Sequence, residues 1–358
     1  MDTYSLGFSM SNLGPKSFQK VLNKFGDSKK AWNATELEFQ QIGIAGLTYK
    51  KFDAFRKTFD SKKYAQKLEK EKAEFVSFLD KQYPNELKKL PDPPIGLFLK
   101  GNATLLKQKP IVAVVGTRKI TEYGKSVTES IVSELASNNV VIVSGLALGV
   151  DAKAHRVSIQ NNGMVIAVLA CGVDCCLPSE NYNLYSDILK NNGLIISEYP
   201  LSQPPNKGTF LARNRIVAAL SEGVLITEAS EDSGSLVTAE WGFRLSKKVF
   251  AVPGPIRSVM MQGSLKLLKN GARLVTDGED IIKELNIKKK FTKSEKELNN
   301  LNTVEKKIVL SLENGELSID EISKKMNIPV VEIAMQISQL ELRGLLKNSN
   351  GKISRRYE

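Results

Sequence analysis

Apolar positions along the chain change spacing twice, and each change marks a different kind of structure. Over residues 1 to about 75 they recur at helical intervals in short amphipathic segments such as 17–25, separated by the glycine-containing turns Leu13-Gly14-Pro15-Lys16 and Ile42-Gly43-Ile44-Ala45-Gly46-Leu47. A lysine-rich helix is expected over roughly 62–81. The prolines of Tyr83-Pro84 and Leu90-Pro91-Asp92-Pro93-Pro94 then end the helical pattern and mark an irregular entry to the next segment. From about 95 to 286, short apolar runs alternate with amphipathic helices, which predicts strands near 111–115, 140–144, 164–169, 194–197, 223–227, 248–252 and 273–275. The first of these, Ile111-Val112-Ala113-Val114-Val115, is apolar at every position, as in a parallel strand covered on both faces.

That alternation predicts an α/β fold: a Rossmann-like, doubly wound, mostly parallel sheet with right-handed crossovers, over residues 76–286 with 76–110 as a lead-in. The helical segment 1–75 resembles a SAM or helix-hairpin-helix domain, whose turn glycines let backbone amides face a phosphate. Glycine caps in an ordinary helical bundle account for the same residues. The polar, lysine-rich stretch within 287–302 reads as a linker. Residues 303–358 carry three helical patterns: Thr303 is a candidate cap for the first, Ser318 with Glu321 forms a capping box for the second, Pro329 opens the third and Gly344 ends it. A hairpin around Asn350-Gly351 completes a winged helix. Its third helix is poor in cations, with Glu332, Gln336, Gln339 and Glu341 at accessible positions, so protein contact and base readout both stay open. Lys352, Arg355 and Arg356 are the wing's candidate phosphate contacts.

Charge narrows the partner. Lys and Arg outnumber Asp and Glu by 51 to 39, a formal net charge of +12 that favours a polyanion. The cysteines Cys171, Cys175 and Cys176 and the single histidine, His155, offer no disulfide framework and no zinc-ligand spacing, so buried thiols in a reducing compartment are expected. No basic n-region opens the chain and no run of about 18 apolar residues occurs, so a cytoplasmic protein is expected.

Candidate chemistry gathers at the carboxyl ends of the predicted strands, where open α/β sheets bind ligands. Gly116-Thr117-Arg118 follows the first strand: a glycine for close backbone approach, a hydroxyl and a planar cationic fork. Ser144-Gly145 follows the second strand, and Ser233-Gly234-Ser235 precedes a helix after the fifth, so each is positioned to present backbone N–H groups to an anion. Lys207 and Phe210, with Arg213 and Arg215, supply the cations and stacking aromatic that a single-stranded nucleic acid requires. Alternatively, Phe210 belongs to the core and the arginines pair with Glu228 or Glu240. The i, i+2 spacing of the arginines turns one of them inward. A nicotinamide cofactor is not expected, because no Gly-x-Gly-x-x-Gly follows the first strand and no acidic residue ends the second.

Seven segments in order resemble one family. They are Gly116-Thr-Arg118, Ser144-Gly-Leu-Ala-Leu-Gly-Val-Asp-Ala-Lys-Ala-His155, Ala167-Val-Leu-Ala-Cys-Gly-Val-Asp174, Ser197-Glu-Tyr-Pro200, Phe210-Leu-Ala-Arg-Asn-Arg215, Ser233-Gly-Ser-Leu-Val-Thr-Ala-Glu240 and Val249-Phe-Ala-Val-Pro-Gly254. They look like the signature of the DNA-processing protein A (DprA) family of bacterial natural transformation. The resemblance implies a protein that binds single-stranded DNA and loads the RecA recombinase onto it, without catalytic residues or cofactor, as a homodimer formed through the Rossmann-like domain. It carries the family's phosphate motif onto Gly116, Thr117 and Arg118, its basic pocket onto Lys207 and Arg213, and its stacking aromatic onto Phe210. Leu265 departs from the asparagine usual in the family after the Gly263-Ser264 turn. The rival is a nucleotide-processing enzyme, such as a phosphoribohydrolase, on a related sheet. Its Pro-Gly-Gly-x-Gly-Thr-x-x-Glu loop is replaced here by Ser233 to Glu240, and neither His155 nor the Glu228/Glu240 pair has an evident nucleophile or acid/base partner.

Overall fold

The computed structural model describes residues 2–288, 301–312, 315–349 and 351–355. Residues 1–288 form one compact unit and 289–358 a second.

The first unit opens with six helices: α1 (Thr3–Met10), α2 (Pro15–Phe25), α3 (Ser28–Trp32), α4 (Glu36–Gln41), α5 (Gly46–Thr58) and α6 (Ser61–Lys70). Asp2, Asp27, Thr35 and Asp60 cap four of them by accepting backbone N–H groups, and Pro15 occupies the first turn of α2, where no donor is lost. Phe8, Phe18, Phe39 and Phe52 pack among themselves as the bundle's own core. Leu6, Tyr64 and Leu68 instead join the core beneath the sheet, which makes the bundle continuous with the sheet domain.

The helix expected over 62–81 stops earlier. Lys72 takes a left-handed φ of 51° directly after α6, and 73–77 forms strand β1 (Ala73–Ser77), which places Phe75 and Val76 in the cores on opposite faces of the sheet. Beyond α7 (Asn85–Lys88), the lead-in also holds β2 (Gly96–Gly101), whose apolar run is too short to give a clear strand signal in the sequence. The seven predicted strands come next: β3 (Ile111–Val115), β4 (Val141–Ser144), β5 (Val165–Val168), β6 (Leu194–Ser197), β7 (Gly223–Ile226), β8 (Lys248–Ala251) and β9 (Arg273–Leu274). They alternate with α8 (Glu122–Ser137), α9 (Val150–Gln160), α10 (Tyr182–Lys190), α11 (Lys207–Leu220), α12 (Ser235–Arg244), α13 (Gln262–Lys269) and α14 (Gly278–Glu284).

The nine strands run in the order β1-β2-β6-β5-β4-β3-β7-β8-β9, parallel except for antiparallel β1–β2 and β2–β6. Strand period two explains why β3 had to be apolar throughout. Val112 and Val114 enter one core, and Ile111, Ala113 and Val115 enter the other. After β3 the chain crosses to β4 on one side, while β7 flanks β3 on the other, so the direction of winding reverses between β3 and β7. The loops leaving these two strands diverge and open a crevice at that point.

The second unit contains α15 (Thr303–Ser311), α16 (Ile319–Met326), α17 (Val330–Leu342) and an antiparallel sheet in which β12 (Lys352–Arg355) lies between β10 (Leu317–Ser318) and β11 (Leu346–Ser349). Asn302, not Thr303, caps α15, in a capping box with Glu305; Ser318 and Glu321 form the expected box on α16. The amide of Asn302 can accept from two N–H groups at once, which leaves Thr303 inside the first turn. Arg356, Asn350 and most of the expected linker lie outside the described residues.

Candidate nucleic-acid interface

The crevice between β3 and β7 is a pocket of about 280 Å3. Gly116, Thr117 and Arg118 form one side, Phe210, Leu211, Arg213 and Asn214 of α11 another, and Ser233, Gly234 and Ser235 a third.

Glu228, at the end of β7, fixes the first side. Its carbonyl accepts the Thr117 N–H at 2.7 Å, and its carboxylate accepts the N–H and hydroxyl of Thr121 at 2.9 and 2.7 Å. The loop is also packed too tightly for any side chain at two glycines. A Cβ at Gly116 would lie 2.6 Å from the Glu228 carbonyl oxygen, and one at Gly149, which has φ +80°, would overlap the Thr117 carbonyl. Arg118 is left exposed, with its guanidinium 5.0 Å from the centre of the half-buried Phe210 ring. Arginine and aromatic thus present a planar cation and a π face at one mouth.

Behind them sits a buried polar layer. Arg213 is 4% exposed and donates to the Val168 carbonyl at 2.5 Å; its Nε has no hydrogen-bond partner. Burial lowers the pKa of this guanidinium, and the neighbouring Asp151 carboxylate opposes that shift. Asp151 accepts the N–H groups of Gly145 and Ala147 at 3.1 and 3.4 Å, and burial holds its carboxyl above the ordinary range while Arg213 pulls it down. One helical turn along α9, His155 is fully buried with neither ring nitrogen hydrogen-bonded, and burial pushes its pKa down to about 3.

The sign of that shift makes a prediction. As pH falls below 6.5 the unfolded chain protonates this imidazole before the folded one does. Stability that is complete above pH 6.5 is therefore lost toward pH 3, at about 1.4 kcal/mol per pH unit. Because His155 is the only histidine, urea unfolding of His155→Leu and the parent between pH 7 and 4.5 isolates the effect. The parent is expected to lose stability relative to the variant as pH falls, and a constant difference between the two curves would refute it.

The predicted residues separate into those that reach the pocket surface and those that do not. Gly116, Thr117, Arg118, Phe210, Arg213, Ser233, Gly234 and Ser235 line it, whereas Ser144, Gly145, Lys207 and Arg215 do not. Lys207 is exposed in the first turn of α11, three residues before Phe210. Ser233 and Ser235 share a hydrogen bond between their hydroxyls at 2.8 Å.

Three expectations need correction. Ser144 is fully buried, with its hydroxyl donated to the Val114 carbonyl at 2.6 Å, and the Gly145 N–H goes to Asp151, so this turn holds the scaffold together and offers no free donor. Arg215 is 3% exposed and makes a bidentate pair with Glu198 at 2.7 and 2.8 Å, with Asp92 beside it at 3.2 Å. Its partners are therefore neither Glu228 nor Glu240, and both arginines turn inward rather than one. The i, i+2 rule separates directions around a helix, but α11 is buried on both flanks by its neighbours.

Sequence reasoning missed Asn214, whose amide donates to the Gly234 carbonyl at 3.2 Å and ties α11 to the α12 loop, and Asp232, an exposed carboxylate of the lining held low by the Ser230 hydroxyl. Neither had a signal beyond its position inside or beside a family-like segment. Among the described residues no cluster of side chains could hold a metal ion, and burial lifts the Cys171 thiol to about 12, away from thiolate chemistry. No helix among them is long and apolar enough to cross a membrane.

The family described as DNA recombination-mediator protein A matches residues 74–286. The DNA processing protein DprA of Streptococcus pneumoniae is 44% identical over 219 residues, 61% of this chain and 77% of that protein. Protein Smf of Escherichia coli is 35% identical over 269 residues, 73% and 72% of the two chains. The crystal structure of the S. pneumoniae protein superposes with a TM-score of 0.70 at 36% identity, covering 79% of this chain and 98% of that one. The Helicobacter pylori DNA processing protein A, a structure that addresses its single-stranded DNA binding mode, gives 0.54 at 35% identity over 60% and 96%. With its mostly parallel nine-stranded sheet and the ordered motifs at that sheet's carboxyl edge, this chain belongs to the DNA processing protein A family of DNA recombination mediators.

Proposed function

We propose that the chain binds single-stranded DNA across the carboxyl edge of its sheet, with a phosphate at Gly116–Arg118 and a base against Phe210, and delivers the strand to the RecA recombinase without covalent chemistry. The observation that carries this reading is the exposed Arg118 guanidinium set over the Phe210 ring at the mouth of the crevice. Phosphate and base stack are the two features a nucleic-acid strand offers side by side, and each stacked base contributes about 1–3 kcal/mol. Arg213 adds positive charge from behind the surface, Lys207 adds it from solvent, and Asp232 repels a phosphate from its own part of the rim.

Fluorescence anisotropy with an oligonucleotide, its duplex and free nucleoside monophosphates tests the proposal. Single strands are expected to bind tightest with a negative salt slope; equal affinity for monophosphates, with base release, would favour the rival phosphoribohydrolase. Phe210→Ala is expected to weaken single-strand binding by about 1–3 kcal/mol while Phe210→Leu, which keeps apolar bulk, retains the fold and still loses the stack. Equal loss of stability in both variants would assign the ring to the core.

The finer expectations of the family belong to the same proposal. A homodimer formed through the sheet domain is supported by Ile256, Val259 and Leu274, which are 78, 72 and 56% exposed near the β8–β9 edge, and a cytoplasmic location belongs to the same proposal. Sedimentation at micromolar concentration tests the dimer, and filament formation by RecA on protein-coated oligonucleotides tests delivery.

A further inference from the structure

The opposite edge of the sheet carries a second opening. A groove of about 670 Å3 runs along β1, lined among others by Ala65, Leu68 and Glu69 of α6, by Glu74 and Phe75 of β1, and by Lys81. Strand register fixes what the backbone offers there. The Phe78 N–H donates to the Ile95 carbonyl at 2.9 Å and the Asn102 N–H to the Gly193 carbonyl at 3.0 Å, on the same diagonals as the β1–β2 and β2–β6 pairs. Hydrogen-bonded positions alternate along an antiparallel ladder, so Glu74 and Val76 direct their N–H and C=O groups at β2. Ala73, Phe75 and Ser77 direct theirs outward.

At Ser77 the edge is closed locally. Its N–H is accepted by the Asp80 carboxylate at 2.8 Å, and its carbonyl accepts the Asp80 N–H at 2.9 Å. Ala73 and Phe75 have no such partner among the described residues, although Phe75 is only 4% exposed. Unpaired backbone donors and acceptors along a sheet edge form a template for another strand.

Charge selects the occupant. Glu69 and Glu74, both exposed, face one ammonium, Lys81, in a chain whose overall charge is +12. Nucleic acid is repelled by these carboxylates. A second copy of the chain is disfavoured too, because pairing β1 with β1 through the open Ala73 and Phe75 positions would bring Glu74 against its own counterpart. We propose that this edge docks an extended, basic segment of a partner protein. The segment adds to β1 as a tenth strand, setting alternate apolar side chains against Ala65 and Leu68 on the α6 face and the cations between them against Glu74 on the opposite face, with Glu69 adding negative charge at the rim of the apolar face.

The probe is an end-capped heptapeptide of alternating valine and lysine, titrated into the full chain. Saturable binding is expected together with at least tenfold slower amide exchange at Ala73 and Phe75. Glu69→Lys with Glu74→Lys, two exposed changes whose effect on folding is checked by melting, should weaken binding at least tenfold. N-methylating alternate peptide residues in the two possible phases should abolish binding in one phase and spare it in the other. The proposal is overturned by equal binding of the glutamate analogue of the peptide, by binding indifferent to N-methylation in both phases, by unchanged exchange at Ala73 and Phe75, or by no binding at millimolar peptide. Self-association that neutral Glu69→Gln with Glu74→Gln strengthens would likewise overturn it, in favour of a second copy as the occupant.

Discussion

Arg118→Ala is expected to weaken single-stranded DNA binding by roughly ten- to a hundredfold, the about 1.5–3 kcal/mol of a charge-assisted hydrogen bond. It should also flatten the dependence of log K on log salt by about 0.7, the release of one counterion from a single strand. The size comes from position. Arg118 is exposed on a loop that Glu228 already holds rigid, so no ordering of the loop offsets the contact. Its guanidinium also lies over Phe210, so truncation removes a cation from the face on which a base would stack. Anisotropy titrations at four or more salt concentrations read both quantities. Wild-type affinity and slope would remove Arg118 from the interface. Lost affinity with an unchanged slope would mean that it acts through Phe210 and not on a phosphate.

Glu228→Gln extends the same reasoning. The amide keeps one acceptor for Thr121 and the backbone carbonyl for Thr117, so this variant should bind DNA more nearly like the parent than Glu228→Ala does. In the alanine variant the Thr121 N–H and hydroxyl lose their acceptor in a half-buried loop, at about 1 kcal/mol.

Legibility in the sequence depended on the range of the interaction. β3 was legible because five apolar residues in a row have one common explanation, burial on both faces, and the glycine, threonine and arginine after it mark the carboxyl edge where α/β sheets bind ligands. β1 was hidden because Ala73–Ser77 continues a lysine-rich helical pattern, and only the left-handed Lys72 breaks it. Ser144 and Gly145 looked like anion ligands for a sound local reason, since serine and glycine at a strand end do present donors. Those donors are consumed by Val114, thirty residues earlier in the chain, and by the Asp151 carboxylate, and local sequence does not reveal which partner a buried group finds. The family-like order of the motifs identified the segment correctly without separating residues at the pocket surface from those that hold its loops in place.

Arg215 shows that distinction at its largest. Its guanidinium joins three elements: α11, the end of β6 through Glu198, and the proline-rich lead-in through Asp92, whose carbonyl it also satisfies at 3.1 Å. A loop written Leu90-Pro91-Asp92-Pro93-Pro94 has few backbone donors of its own, so an arginine fork from α11 supplies the partner its carbonyl needs. Arg215→Met keeps most of the side-chain volume and leaves Glu198, whose side chain is 9% exposed, as an uncompensated buried charge. The expected cost is about 3–5 kcal/mol, a fall in melting temperature of roughly 10 °C for a unit of this size. The residual folded protein should bind single strands with an unaltered salt slope, because no phosphate contact has been removed. Adding Glu198→Leu should recover part of the loss, since an apolar pair replaces an orphaned carboxylate. A near-normal melting temperature with a weaker, flatter DNA titration would instead return Arg215 to the interface.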